Sequence, residues 1–109
     1  MEPYIYNFPK LYTGNTFNGL KFAIKKNGKE LDLSDAIIRL EVYCGGITYL
    51  ELTSKNNSIT ITNPKKGEFE INPFLVEMES GSYEYYLQFQ IENNFYTYIK
   101  GKITVDKFN

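Results

Sequence analysis

The chain has 109 residues, 42% of them hydrophobic and 17% aromatic, with ten tyrosines and twelve basic against thirteen acidic side chains. One domain accounts for that length, and a domain of this size buries roughly two-thirds of its unfolded surface with no disulfide or metal. The near-neutral balance, with Arg39 the only arginine, argues against a nucleic-acid surface. No apolar run reaches the roughly eighteen residues of a membrane span, and no charged-then-apolar leader opens the sequence.

The first segment, residues 1–11, is aromatic and proline-bearing without strand alternation. It predicts an arm that lies on a neighbouring subunit or along a sheet edge, ahead of one β domain over residues 12–109. Tyr4, Tyr6 and Phe8 are its candidate contacts, and removing the residues before Lys10 is expected to abolish assembly while leaving a folded monomer. Beyond the arm, short alternating runs rich in Tyr, Thr, Ile and Phe are separated by Gly, Asn and Pro, the pattern of antiparallel strands.

Hairpin registers follow from the faces they keep dry, because a one-residue slip turns every side chain over. Asn27-Gly28 is the favoured two-residue type I′ turn, which pairs Ile24 with Leu31 and Phe22 with Leu33. Around Cys44-Gly45-Gly46, a two-residue turn would oppose Leu40 to Glu51. A three-residue loop instead pairs Leu40 with Leu50 and Ile38 with Leu52, and sets Arg39 opposite Glu51. Strands at 59–62 and 68–71 flank an Asn63-Pro64-Lys65-Lys66-Gly67 turn, and the best helical candidate is a single turn near residues 73–78.

The last hairpin joins residues 83–91 to 95–105. A three-residue loop, Glu92 to Asn94, pairs Leu87 with Ile99 and Tyr83 with Ile103, and places Gly101 against Tyr85. The outer face then reads Glu84–Lys102, Tyr86–Lys100, Gln88–Tyr98 and Gln90–Tyr96. The expected fold is all-β, an immunoglobulin-like antiparallel two-sheet sandwich of about seven to eight strands. The stretch Ser80-Gly81-Ser82-Tyr83-Glu84-Tyr85 stands where such folds place a tyrosine corner, whose Tyr hydroxyl would tie the preceding loop to the sheet. With one Cys and no Trp, the antibody-type Cys–Trp–Cys core is excluded.

Chemistry is sparse. The absence of histidine removes the commonest general base and metal ligand, and a lone cysteine leaves no Cys–His pair or ordinary zinc site. Glu68 and Glu70 share a strand face and read as solvated rather than as a catalytic pair. Asp32 and Asp35 read as turn-capping residues rather than calcium ligands. Cys44 has no neighbouring base in sequence to activate it. These residues predict a non-enzymatic domain without catalytic, metal or cofactor-binding residues. The candidate interface is Tyr86, Gln88, Gln90, Tyr96, Tyr98 and Lys100, rigid amphipathic side chains of the kind enriched at contacts. The same residues also suit a stable exposed sheet face, or a carbohydrate-binding platform of Tyr86, Tyr96 and Tyr98.

Landmarks recur in order along the chain: Tyr12-Thr13-Gly14-Asn15-Thr16-Phe17, Asn27-Gly28, Leu31-Asp32-Leu33-Ser34 and Ala36-Ile37-Ile38-Arg39-Leu40. Ile59-Thr60-Ile61, Pro64, Gly67-Glu68-Phe69, Gly81-Ser82-Tyr83-Glu84-Tyr85, Gln88, Tyr98 and Gly101-Lys102-Ile103-Thr104-Val105 complete them. Over residues 12–105 this order resembles the N-terminal domain of the phage baseplate upper protein, an immunoglobulin-like module of tails and baseplates. The resemblance implies a virion structural protein, a connector or decoration domain that docks other virion proteins, homo-oligomeric within an assembly and free of catalytic residues. It also implies synthesis in the host cytoplasm without a signal peptide. Two departures stand out. Asp35 occupies a turn position where the family commonly has Gly, and a chain that is full-length at Asn109 is expected to carry no receptor-binding head of its own.

Overall fold

In a computed structural model, residues 3–107 are described and form strands joined by short turns. The first six are β1 (Tyr4–Ile5), β2 (Leu11–Thr13), β3 (Thr16–Phe17), β4 (Leu20–Ala23), β5 (Lys25–Lys26) and β6 (Lys29–Glu30). There follow β7 (Ile37–Cys44), β8 (Ile47–Thr53), β9 (Ile59–Asn63), β10 (Glu68–Ile71), β11 (Phe74–Leu75), β12 (Gly81–Ile91) and β13 (Asn94–Lys107). The protein is all-β. Met1 and Glu2 of the expected arm, and Phe108 and Asn109 of the expected domain, lie outside the described residues.

Six strands make the larger sheet, ordered β1-β13-β12-β7-β8, with β2 also paired to β13. A three-stranded antiparallel sheet is ordered β4-β10-β9. Phe69 of β10 stacks on Phe22 of β4 at 5.1 Å and meets Phe89 of β12 edge-on at 5.5 Å. The two sheets therefore share one core, to which alternate residues of β7 (Ile38, Leu40, Val42) and β12 (Tyr83, Tyr85, Leu87, Phe89) contribute. Two short ribbons, β3 with β11 and β5 with β6, complete the described pairings.

The sequence-derived registers meet three different outcomes. Asn27 and Gly28 both have positive φ (54° and 78°), as a type I′ turn requires, and Leu31 N–H donates to Ile24 C=O at 3.2 Å. The ladder ends there. Phe22 opposes Phe69 instead of Leu33, while Leu33 N–H donates to Pro64 C=O at 2.8 Å, because the second sheet offers Phe22 an aromatic partner.

The β7–β8 turn is the two-residue Gly45-Gly46, with Cys44 opposite Ile47. A bulge then leaves Tyr49 as the extra residue, so that Leu40 faces Leu52, Val42 faces Leu50 and Arg39 faces Thr53. The expected three-residue loop is corrected by a tight turn plus a bulge, which restores the dry face two residues further along. The β12–β13 hairpin uses the same device. Glu92 and Asn93 form its turn, both with positive φ (51° and 67°), and the register shifts by one between Leu87 and Gln88. Leu87–Ile99, Tyr85–Gly101 and Tyr83–Ile103 pair as expected, whereas Gln88 faces Thr97 and Gln90 faces Phe95. Tyr98 is the bulged residue.

Residues 73–78 contain the short strand β11 rather than a helical turn, because Phe74 and Leu75 pair with Phe17 and Thr16. Residues 64–66 form one 3₁₀ turn closed by Gly67, as the Pro64–Gly67 pattern anticipates. At the start of β12, Tyr83 O–H donates to Glu79 C=O at 2.6 Å, which is the expected tie across the loop. Tyr83→Phe removes that bond and leaves a partly buried carbonyl without it. Chemical denaturation is expected to read a loss of about 1 kcal/mol at unchanged m-value.

The N-terminal segment lies along the edge of β13. Tyr4 and Ile5 pair in parallel with Ile99 and Lys100, Tyr6 and Phe8 donate their N–H groups to Lys100 and Lys102 C=O at 2.9 and 3.0 Å, and β2 continues the parallel pairing at Val105–Lys107. Phe8 and Leu11 are buried in the core. Of the two placements expected, the segment takes the sheet edge, and it does so as an integral part of the fold. Removing the residues before Lys10 is therefore expected to destabilise the monomer, in place of the folded monomer anticipated from sequence.

Candidate interaction surface

Outward-facing residues of β7, β8 and β12 converge on Arg39. Its guanidinium donates to Glu51 Oε2 at 3.3 Å, Tyr86 Oη at 3.3 Å and Gln88 Oε1 at 3.2 Å. Tyr86 O–H in turn donates to the Glu41 carboxylate. The guanidinium also lies 5.9 Å from the centre of the Tyr86 ring, and Tyr43, on the same face of β7, packs against that ring at 5.9 Å. Arg39 and Glu51 meet diagonally across the ladder, since their direct partners are Thr53 and Glu41. A planar guanidinium with several donors suits this fixed multi-acceptor arrangement in a way a lysine would not. Ile37, Thr53, Lys55, Gln90 and Phe95 surround it in a shallow groove of about 360 Å³.

Of the residues expected at an interface, Tyr86, Gln88, Gln90 and Lys100 do share this outer face. Tyr96 and Tyr98 do not. The bulge turns both rings to the side of Phe89: Tyr98 is buried against it at 5.3 Å, and Tyr96 stacks on Tyr98 at 5.5 Å. The Lys26 ammonium covers the pair, 5.5 Å from the Tyr96 ring centre and 6.0 Å from that of Tyr98. The three-tyrosine platform expected for sugar binding is thus split between the two faces of the sheet. In the N-terminal segment Tyr4 is exposed, Tyr6 is half-buried with an edge contact to Phe22 at 5.6 Å, and Phe8 packs in the core against Tyr85 at 4.8 Å.

Arg39 with its acidic partners, and the exposed Phe95, Ile47, Tyr49 and Leu75, were not foreseen as a surface. The Arg39–Glu51 juxtaposition was the available signal. Glu68 and Glu70 lie on one half-exposed strand face opposite Ala23 and Lys21. Asp32 accepts from Ser34 N–H at 2.9 Å and Ser34 O–H at 2.5 Å, a turn-capping geometry, and these bonds hold its carboxyl below the usual range. Cys44 is exposed and unpaired in any disulfide. Among the described residues no group of three or more His, Cys, Asp or Glu converges as a metal ion would require, and no helix is long and apolar enough to cross a membrane.

Three tyrosines, Tyr83, Tyr85 and Tyr86, hold their protons more tightly than free tyrosine does, with burial the first cause in each. Burial raises Tyr85 above the ordinary value, with its hydroxyl donating to Tyr6 C=O. Burial and then the Glu41 carboxylate raise Tyr86. A folded value above the unfolded one means stabilisation that is complete below the ionisation of free tyrosine, at about pH 10, and is lost as pH rises from there. Stability measured by denaturation is expected to fall with alkaline pH from about 10 upward, with a shallower slope in Tyr85→Phe.

No protein-family model matches the chain, and no curated protein matches it significantly.

Proposed function

We propose that the chain is a non-enzymatic phage virion structural protein, a connector or decoration module of the tail or baseplate that docks other virion proteins. The resemblance over residues 12–105 supports the virion setting. The strand order supports an immunoglobulin-like sandwich: β8-β7-β12-β13 opposed to β9-β10-β4, with Tyr83 tied to Glu79 at the start of β12. The observation that carries docking is the outer face itself. Arg39 fixes Tyr86, Gln88 and Glu51 in place, so the rotamer entropy that contact would otherwise cost is already lost in the free protein.

The test is mass spectrometry and antibody labelling of purified particles, followed by Arg39→Ala with Tyr86→Ala. The protein is expected in the particle, and the double variant is expected to fold and to lose incorporation. Absence of the protein from purified particles would sink the proposal. A glycan array separates the carbohydrate reading, which requires binding that Tyr86→Ala abolishes; the separation of Tyr86 from Tyr96 and Tyr98 disfavours it.

A further inference from the structure

The described chain measures 43 Å along its longest axis and 25 by 23 Å across, and its two ends differ in charge. At one end the β5–β6 hairpin carries Lys25, Lys26 and Lys29 around the Asn27-Gly28 turn. The 3₁₀ turn bearing Lys65 and Lys66 sits against its base, through Ile24 N–H to Gly67 C=O at 3.0 Å and Leu33 N–H to Pro64 C=O at 2.8 Å. Lys55 belongs to the same end, since its neighbour Ser54 accepts from Ile38 N–H, and Ile38 opposes Phe89. Six lysines there face five acids, Glu30, Asp32, Asp35, Glu92 and, opposite Ala23 just past Gly67, Glu68. Phe95 and Tyr96 stand beside them, 61% and 37% exposed.

The other end lies past Tyr83. At about 3.3 Å per residue, the six steps along β12 from Phe89 to Tyr83 cover about 20 Å. Here a cleft of about 580 Å³ opens between β8 and the segment from β11 to β12. Tyr49, Leu50, Phe74, Leu75 and Met78 give it apolar walls, and Glu77 and Glu79 are its charged lining residues. Leu75 and Tyr49 are 55% and 50% exposed. An exposed apolar cleft with an acidic rim marks an interaction site more readily than scattered single hydrophobics do.

We infer that the lysine-bearing end of one copy docks into the acidic cleft of the next, so that the protein associates head to tail. The two surfaces are complementary in both respects that matter: basic against acidic, and protruding aromatic and hairpin against concave apolar. They lie at opposite ends of an elongated body, so the contact is heterologous, and copies joined this way form a ring or an open stack rather than a closed pair. The inference deepens the proposed connector role by naming a second copy as a partner. It is tested on purified protein alone, so its failure is separate from that of virion incorporation.

The test is sedimentation velocity on three proteins: wild type, Lys26→Glu with Lys29→Glu, and Glu77→Lys with Glu79→Lys. Wild type is expected to form species that grow with concentration and dissolve with salt, because the steering charges are solvent-exposed. Each double variant, with circular dichroism unchanged, is expected to self-associate at least about tenfold more weakly, since like charges then meet. Mixing the two variants restores complementarity at every contact and is expected to restore the assemblies. Three results overturn the inference: a wild type that stays monomeric at every concentration, a closed dimer indifferent to both charge reversals, or variants that stay monomeric when mixed.

Discussion

Gly101→Ala is expected to destabilise the protein by about 3 kcal/mol, at the upper end of what overpacking costs. A Cβ on residue 101 would stand 2.0 Å from Tyr6 O, 2.7 Å from Tyr6 C and 3.0 Å from Asn7 Oδ1. The first two obstacles are backbone, which no rotamer change removes. Either β13 or the N-terminal segment must move, and the segment is the weaker partner because β13 is held along its length by β12. Lifting the segment breaks the bonds from Tyr6 and Phe8 to the Lys100 and Lys102 carbonyls, takes Tyr6 C=O from the Tyr85 hydroxyl and begins to expose Phe8. Full exposure of a phenylalanine alone costs about 1.5–3 kcal/mol. Urea denaturation measures the loss, and hydrogen exchange locates it: the Tyr6 and Phe8 amides are expected to lose protection while those of β7 keep theirs. Unchanged stability in Gly101→Ala would mean that the segment is not seated against Gly101.

Phe69→Ala is expected to cost about 3–5 kcal/mol, the range for emptying a fully buried aromatic site. Phe69 is 1% exposed and joins the sheets, through Phe22 on its own sheet and Phe89 on the other. The cavity left between two hydrogen-bonded sheets closes poorly, because neither backbone can follow the missing ring inward. For a domain of this size such a loss lowers the melting temperature by more than about 10 °C. Phe69→Leu, which refills part of the volume, is expected to lose much less. Equal losses in the two variants would argue that the site is not close-packed.

The all-β class, the Asn27-Gly28 turn, the Pro64–Gly67 turn and the tie from Tyr83 were legible because each depends on neighbours in sequence. Register was legible only as parity. In both long hairpins the alternation of side chains fits a two-residue turn or a three-residue loop only with an even ladder, and the protein takes a two-residue turn followed by a bulge. In the β12–β13 hairpin the extra residue, Tyr98, replaces the extra loop residue, so pairing beyond it came out right. In the β7–β8 hairpin the bulge at Tyr49 moves the pairs by two, which keeps leucine opposite leucine and changes which leucine. Hydrophobic patterning constrains the face and is silent about an even shift.

The surface was less legible for the same reason. Tyr98 was assigned to the outer face by counting alternate residues, and a bulge breaks the count. Tyr98 and Ile99 are consecutive and both buried, which no uninterrupted strand facing solvent on one side allows. The acidic cleft draws on β8, β11 and β12, so no local pattern announces it. The edge position of residues 4–8 was visible only as an alternative, because parallel pairing with β13 leaves no short-range signature.

That parallel pairing also sets the order in which the molecule is completed. Tyr4 lies opposite Ile99 and Leu11 opposite Val105, so β1 and β2 find their partner only when β13 has been synthesised. Until then Phe8 and Leu11 have no sheet edge to join, and the loop to be closed is nearly the length of the chain. Contacts of such separation slow folding, because closure entropy is lost before the contacts reward it. The core closes only once β13 has emerged, and a ribosome-bound chain that stops short of β13 is expected to leave its N-terminal aromatics open to chaperones and proteases.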